Sequence, residues 1–557
     1  MNPATAPQRP TERRPFSWGA VAGPLALALV AFPAFAWFAW HDGLATVGDD
    51  SVSYLVQAHL YAGNASAAVG QWAGTATHFP PLFPLLLAAC GAAHDMVRAH
   101  EVVAACAALA LVAMFAFASR VVADRRTACA LVAVFLATPT AWVSTLGILS
   151  DPPYLLASFA LLAIHRDDGR EASHAHLALV GIVLASAVLA RSAGLALVAA
   201  YVVHAAVRVR RRESDTALLV VPMAAVAVAG LAWTWLRVPL VGENYGLVLR
   251  NVGTWIARDP LDFFAAIGRQ LANAWVASFA SAPQVGTPSR VVLLALAACA
   301  VAGAVRAARR NRLDGWYALA YLAMLCVWLF PEEIMRRLLY PLLPLALLHA
   351  GEALFALARR LRVARAWIAP AVAAAFAVSL AAPALVATAQ RATDRRAPIA
   401  GSPLELAGMT PYYTSIADAV ARVQAGRHLA ILAGLEAIAT RTPPGARVMW
   451  MRPDYVALLG QRTAVPWLYR EGFEGALARM RDERVTHVVV ASLVKGDLDS
   501  EGAPDGEFIT AASLAPFTRG ATFILDNPVR PGEEFRLVEI DRAALAAHFE
   551  RAGAAVR

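Results

Sequence analysis

The chain is built from apolar runs, many about as long as a bilayer is thick, with short clusters of arginines between them. A stretch of roughly 20 apolar residues is what an α-helix needs to cross hydrocarbon. Arginines flanking such stretches set their orientation, because cytoplasmic loops retain positive charge. Starting inside with Arg9, Arg13 and Arg14, spans are expected at 18–40, 100–119, 128–147, 153–165, 176–190, 192–206, 216–236, 290–305, 315–330, 338–357 and 366–387. The two short pieces at 176–190 and 192–206 hinge at Arg191-Ser192. With this count Arg120, Arg125 and Arg126, then Arg208 to Arg212, Arg306 to Arg312 and Arg359 to Arg365 all lie inside. The run Pro80–Ala93 is too short to span, and making it a span would turn every later cluster outside. It is therefore expected to be an interfacial helix that returns to the same side.

Composition agrees with a membrane protein: 59% of the 557 residues are hydrophobic and 16% charged. The formal charge of +9 is spread over the helix ends rather than gathered in one patch, so it reports topology and argues against nucleic-acid binding. Lys495 is the only lysine. Cys90, Cys106, Cys129, Cys299 and Cys326 lie in apolar runs without CxxC spacing, which predicts buried inert thiols and neither a disulfide framework nor a zinc site. Phe16 to Trp40 is long for a signal-peptide core and suits a full span.

Beyond Thr388 the pattern changes. Residues 389–557 carry ordinary charge, turn signals and no long apolar run. Thr442-Pro-Pro-Gly, then 447–451, then 453–460 read as turn, strand and helix; 475–484 reads as a helix, 485–491 and 535–540 as strands. The expected organisation is a cytoplasmic tail at 1–17, a membrane domain at 18–387, and an extracytoplasmic α/β domain at 388–557. The whole is a mainly α-helical polytopic protein of about eleven transmembrane helices, with interfacial helices in its first outer loop.

That loop holds the chemistry. It opens with Asp49 and Asp50, continues into an aliphatic helical pattern carrying Tyr54, and ends in His78-Phe-Pro80-Pro81 before Leu-Phe-Pro-Leu-Leu-Leu. Carboxylates beside hydrocarbon are costly and usually functional. Asp50 alone is also what an N-cap looks like, but one cap does not account for two acids. The same outer face receives Asp151, at the start of a span before Pro152-Pro153, and Arg191, Glu332, Glu333, Arg336 and Arg337. Asp151 equally suits a helix start, Arg336 and Arg337 suit interface anchors, and Glu332 and Glu333 suit partners for those arginines.

The acidic pair, Tyr54 and Pro80-Pro81 together resemble the first outer loop of C-type polytopic (GT-C) glycosyltransferases, a superfamily that includes protein O-mannosyltransferases and ArnT-like aminoarabinose transferases. Ser150-Asp151-Pro-Pro-Tyr154 resembles its second outer acidic position, and Arg336, Arg337, Tyr340 and Pro341 its late Arg/Tyr/Pro element. The resemblance covers residues 18–360 in layout. It implies a polyprenyl-phosphate-linked sugar donor and a lipid, glycan or protein acceptor in a bacterial inner membrane, with inversion at the sugar. It further implies Asp50, then Asp49, as the carboxylate that takes the acceptor's proton, and Asp151 as a second carboxylate that orients the acceptor or holds a cation. Arg337, Arg336 and Arg191 would bind the donor phosphate, with Tyr54, His78 and Tyr340 as further contacts. The family's acidic pair is usually Asp-Glu, and Phe79 stands where a basic residue sometimes precedes the prolines. Relatives differ in metal dependence, and no ligand cluster in the sequence decides whether a divalent cation is used. A transporter would instead place charges near the bilayer midplane and often show inverted repeats, neither of which is visible. A non-catalytic envelope assembly protein would place its working part in the C-terminal region, which carries no catalytic motif.

Overall fold

The computed structural model describes residues 18–41, 50–76, 79–122, 125–165, 173–236, 244–279, 286–327, 332–360, 419–467, 472–491, 511–526 and 534–555. The expected cytoplasmic tail, the span at 366–387, Asp49 and His78 lie outside these residues.

Seventeen helices are described up to Arg360. The first, α1 (Trp18–His41), is followed by three short helices of the first loop: α2 (Asp50–Tyr61), α3 (Ala67–Ala76) and α4 (Leu82–Ala89). Thus Pro80–Ala93 forms an eight-residue helix, far too short to cross a bilayer. Next come α5 (Met96–Val121), α6 (Arg125–Leu136), α7 (Pro139–Val143) and α8 (Asp151–Ile164). The run expected as one span at 128–147 is broken, because Thr138 precedes Pro139 and takes an extended backbone (φ −85°, ψ 138°). Then follow α9 (His174–Ala190), α10 (Gly194–Arg210) and α11 (Ala217–Leu236).

The long segment 237–288 between the spans expected at 216–236 and 290–305 holds two amphipathic helices, α12 (Asn244–Arg258) and α13 (Pro260–Ala277). Asp259 accepts from the Asp262 amide and Pro260 occupies the first turn, a capping signal that explains the break between them. The bundle closes with α14 (Thr287–Arg309), α15 (Leu313–Leu325), α16 (Glu332–Leu339) and α17 (Leu343–Arg360).

Three described helices are long and apolar enough to cross a membrane: Met96–Val121, Ala217–Thr234 and Thr287–Arg309. Leu25–Ala39, Asp151–Ile164, His174–Ala190 and Leu343–Leu357 are shorter apolar helices. Within the bundle α5 packs on α8 and α1, α9 on α11, α14 on α17, and α10 on α15. Their shared core includes Leu111, Met114, Phe135, Tyr154, Tyr201, Tyr317 and Tyr340. Close approach of α14 to α17 depends on Gly303, where an added Cβ would lie 2.1 Å from the His349 carbonyl oxygen. Cys106 is buried as expected, but Cys90 and Cys129 are exposed. Cys129 sits on a mixed face of α6, and Cys90 caps α4 just as it ends.

The C-terminal region is a five-stranded mixed sheet in the order β2-β1-β3-β5-β4. Here β1 is Arg447–Trp450, β2 Thr463–Pro466, β3 His487–Val490, β4 Thr518–Asp526 and β5 Glu534–Ile540. β1 is parallel to β2 and β3, whereas β5 is antiparallel to β3 and β4. The two strands not foreseen, β2 and β4, are the edges. β2 is only four residues long and ends on Pro466, which a strand tolerates only where no ladder partner is needed.

The sheet and the first loop share one apolar core. Val52, Val56, Phe83 and Leu87 of α2 and α4 pack with Leu435, Trp450, Tyr455 and Phe535. Two polar contacts pin the same junction: Ser53 Oγ donates to Asp454 Oδ2 at 2.6 Å, and Thr463 Oγ1 to Gln71 Oε1 at 2.7 Å. Burial pushes the Asp454 carboxyl up from its ordinary value, opposed by the Ser53 hydroxyl and the Arg452 charge. A raised folded-state value means that the folded protein holds this proton more tightly than the unfolded chain. Asp454 therefore penalises folding at neutral pH, and the penalty fades as pH falls toward the ordinary carboxylate range. The stability difference between Asp454→Asn and wild type, read as unfolding midpoint against pH, is expected to be most favourable to the variant near neutrality and to shrink on acidification. A pH-independent difference would contradict this.

Candidate active site

Four charged side chains from four separate stretches of chain meet at one end of the bundle. Asp151 is the first residue of α8, placed there because Pro152 and Pro153 can occupy only the opening turn of a helix. Arg191 terminates α9 with an extended backbone (φ −156°, ψ 139°), and α10 restarts at Gly194. The expected hinge is thus a break between two helices that aims a guanidinium inward. Gly194 allows the restart to lie against the preceding helix, since a Cβ there would be 2.6 Å from the Ala187 backbone. Arg337 comes from α16, and Asp50 opens α2.

Arg337 is the bridge. Its Nε donates to Asp151 Oδ2 at 2.8 Å and its Nη1 to Asp50 Oδ2 at 2.9 Å. Arg191 forms an ion pair with the other oxygen of Asp151. Asp151 is fully buried (0% exposed), with both oxygens engaged by arginines, whereas Asp50 is 33% exposed. The arginines are intermediate, at 14% for Arg191 and 20% for Arg337. The cluster is neutral overall, but only one of its carboxylates faces outward.

Three further contacts fix the first turn of α2. Ser51 Oγ accepts from the Ile148 amide at 3.1 Å, Ser53 reaches Asp454, and Tyr54 Oη and Ser150 Oγ lie 2.8 Å apart. The Tyr54 ring packs against Phe79 (4.7 Å between centroids) and Phe83 (5.0 Å). The two parts of the first-loop motif, the acidic end and the Phe79-Pro80-Pro81 end, are therefore joined through Tyr54. Phe79 here supplies packing, not charge. Burial raises the Tyr54 phenol and keeps it neutral.

Of the residues singled out from the sequence, Asp50, Asp151, Arg191 and Arg337 converge, and Tyr54 stands beside them. Arg336 is half-buried on the same helix as Arg337. Tyr340 is buried with its ring against Phe135 (5.8 Å). Ser51, Ser53 and Asp454 were not foreseen, since isolated serines carry no sequence signal and Asp454 is distant in sequence; Ser150 belongs to the second acidic element, but its contact with Tyr54 was not foreseen. Among the described residues no three His, Cys, Asp or Glu side chains converge as a metal site would require. The two carboxylates that do meet are bridged by a guanidinium, a donor set suited to handling an anion.

No family model matches the sequence, and no curated protein sequence does. Solved structures do. ArnT from Cupriavidus metallidurans in the apo state aligns with a TM-score of 0.51 at 15% identity, covering 94% of this chain and 98% of that one. The chain shares the fold of that ArnT structure. The archaeal oligosaccharyltransferase AglB from Archaeoglobus fulgidus, in complex with an inhibitory peptide and a dolichol-phosphate, aligns at 0.46 and 13% identity over 85% of this chain and 70% of that one. The near-complete mutual coverage with ArnT extends the likeness in fold across the helical bundle and the C-terminal sheet together.

The two aspartates are expected to behave differently when neutralised. Asp151→Asn removes the fully buried carboxylate, leaving Arg191 without its counter-charge and Arg337 with Asp50 alone, a change that typically costs about 3–5 kcal/mol. Asp50→Asn breaks a partly solvated pair and is expected to cost less than about 1 kcal/mol. Thermal unfolding of both purified variants checks this; equal destabilisation would show that the cluster is not buried asymmetrically.

Proposed function

We propose that this protein is a membrane glycosyltransferase that moves a sugar from a polyprenyl-phosphate-linked donor to an acceptor on the extracytoplasmic side. The observation that carries this reading is the Asp50–Arg337–Asp151–Arg191 cluster at one end of a C-type bundle. The fold supports a transferase of this class, and the arginine pattern of the sequence supports an outward orientation for the cluster.

The chemistry suits these groups. A lipid phosphate leaves as a stable anion and needs no strong acid. The acceptor hydroxyl or amine does need a base as its bond to the sugar C1 forms and the C1–O bond to phosphate breaks. Asp50, partly exposed and held at one oxygen, is placed to take that proton. Asp151 is sealed from solvent and holds Arg191 and Arg337 in position, so it acts through them. Those guanidiniums, with Arg336 on the same helix, would receive the donor phosphate and stabilise the charge left on it. Asp49 and His78 complete the first loop as secondary candidates; Tyr54 and Tyr340, expected as substrate contacts, are buried and would support the cluster from behind without touching substrate. A single displacement of this kind inverts the sugar C1.

In this reading residues 18–387 form the membrane domain in an inner membrane, and 388–557 form an extracytoplasmic domain that braces the loop bearing Asp50. The test is mass spectrometry of envelope lipids and glycans from cells lacking the protein, complemented with wild type or Asp50→Asn. A sugar modification should vanish without the protein, return with wild type, and fall by about 10²–10⁴-fold with a stably expressed Asp50→Asn. Full restoration by the variant would overturn the assignment of Asp50 as base.

A further inference from the structure

The opposite end of the bundle contains a second basic centre. The helix α5 runs from Met96, which packs with the first-loop core, to Val121. Its 26 residues span about 39 Å at 1.5 Å per residue, so its two ends lie near opposite faces of a bilayer. At the Val121 end, between the ends of α5 and α14 and the helices α6 and α17, there is a cavity of about 350 Å³. Arg306, Arg310 and Arg312 line it, together with Thr127, Glu352 and Phe355.

Helix-end arginines are expected from topology alone. Topology does not explain why three converge on one cavity while Arg309, on the same turn of α14, is not among its walls. Glu352, the acid on the wall, is already compensated: Arg312 Nη1 donates to its Oε1 at 2.6 Å, and Arg312 Nε donates to Asp314 Oδ1 at 3.1 Å. The buried ring of His349 sits between the same two acids, 3.6 Å from Asp314 Oδ2 and 3.5 Å from Glu352 Oε2. Arg306 and Arg310 make no ion pair among the described residues. They are four apart on one helix face, where like charges repel unless an anion lies between them. The cavity therefore has an uncompensated positive side. Its other side is apolar: Val121 and Val122 line it, and Phe355 is 40% exposed in a helix that would face hydrocarbon.

We propose that this cavity binds the phosphate-bearing headgroup of an anionic membrane lipid, with Arg306 and Arg310 on the phosphate and Phe355 against the start of an acyl chain. Basic pockets between transmembrane helices take such headgroups, and a guanidinium pair matches phosphate oxygens in geometry as well as charge. The site is separate from the Asp50 cluster and would anchor α14 and α17, not take part in transfer.

The test is native mass spectrometry of the full-length protein released from micelles containing phosphatidylglycerol, phosphatidylcholine, or phosphatidylglycerol with inorganic phosphate. Wild type should retain phosphatidylglycerol at least about tenfold more than phosphatidylcholine. Arg306→Gln with Arg310→Gln should abolish that preference, while Arg309→Gln, which removes one charge from the same turn of helix outside the cavity, should keep it. Equal retention by the double variant would overturn the site. Loss in Arg309→Gln as well would reduce it to diffuse surface charge. Displacement of phosphatidylglycerol by inorganic phosphate at matched concentration would overturn the lipid assignment in favour of a free-anion site.

Discussion

A carboxylate with no exposed surface, set at the end of an apolar helical bundle, must be matched by cations, and Asp151 is matched by two. Removing an ion from water costs several kcal/mol even after relaxation, so such a group persists only with its partners in place. That requirement organises this end of the molecule. The two prolines after Asp151 fix it at the start of its helix, and the break at Arg191 delivers one guanidinium. The short helix Glu332–Leu339 delivers the other. Arg337 uses its second side to hold Asp50, so the buried pair also positions the only partly exposed acid of the cluster.

The first loop is consequently held from two directions. Inside, Arg337, Ser150 and the Ile148 amide reach the first turn of the helix Asp50–Tyr61. Outside, the C-terminal sheet presses on the same helix through an apolar core and through Asp454. A loop that would otherwise float at an interface becomes a rigid wall. Rigidity at a reacting carboxylate is what general-base chemistry needs, since misplacement by an ångström is costly. The far end of the bundle uses the same device in another way: Arg312 is satisfied by two acids, leaving Arg306 and Arg310 open toward the cavity.

Local physics made much of this legible in the sequence. Arginine spacing correctly predicts that Pro80–Ala93 does not span, and Arg191-Ser192 reads as a helix break because a charged residue interrupts two apolar runs. Asp50, Asp151, Arg191 and Arg337 stand out because each is an ion where hydrocarbon is expected. Their mutual pairing is not legible, since Arg337 and Asp50 are 287 positions apart and no local signal links them. The same holds for Ser53 and Asp454, 401 positions apart. The helices Asn244–Arg258 and Pro260–Ala277 escape a span-based reading because their apolar faces are stripes rather than runs. The edge strand Thr463–Pro466 escapes because four residues are defined by their partner and not by their own pattern, and Thr518–Asp526 because its irregular register around Gly520 breaks the alternation.

Arg337, held by two carboxylates, is proposed to meet a lipid-linked phosphate. The most direct test is titration of a polyprenyl monophosphate into the full-length protein in mixed micelles, comparing Arg337 with Arg337→Gln. Both would carry Arg306→Gln and Arg310→Gln, so that the second basic centre does not contribute. A charge-assisted hydrogen bond of about 1.5–3 kcal/mol predicts at least roughly tenfold weaker binding on loss of Arg337. Unchanged affinity in a correctly folded Arg337→Gln protein would mean that the arginine serves the bundle alone and that the donor phosphate, if there is one, binds elsewhere.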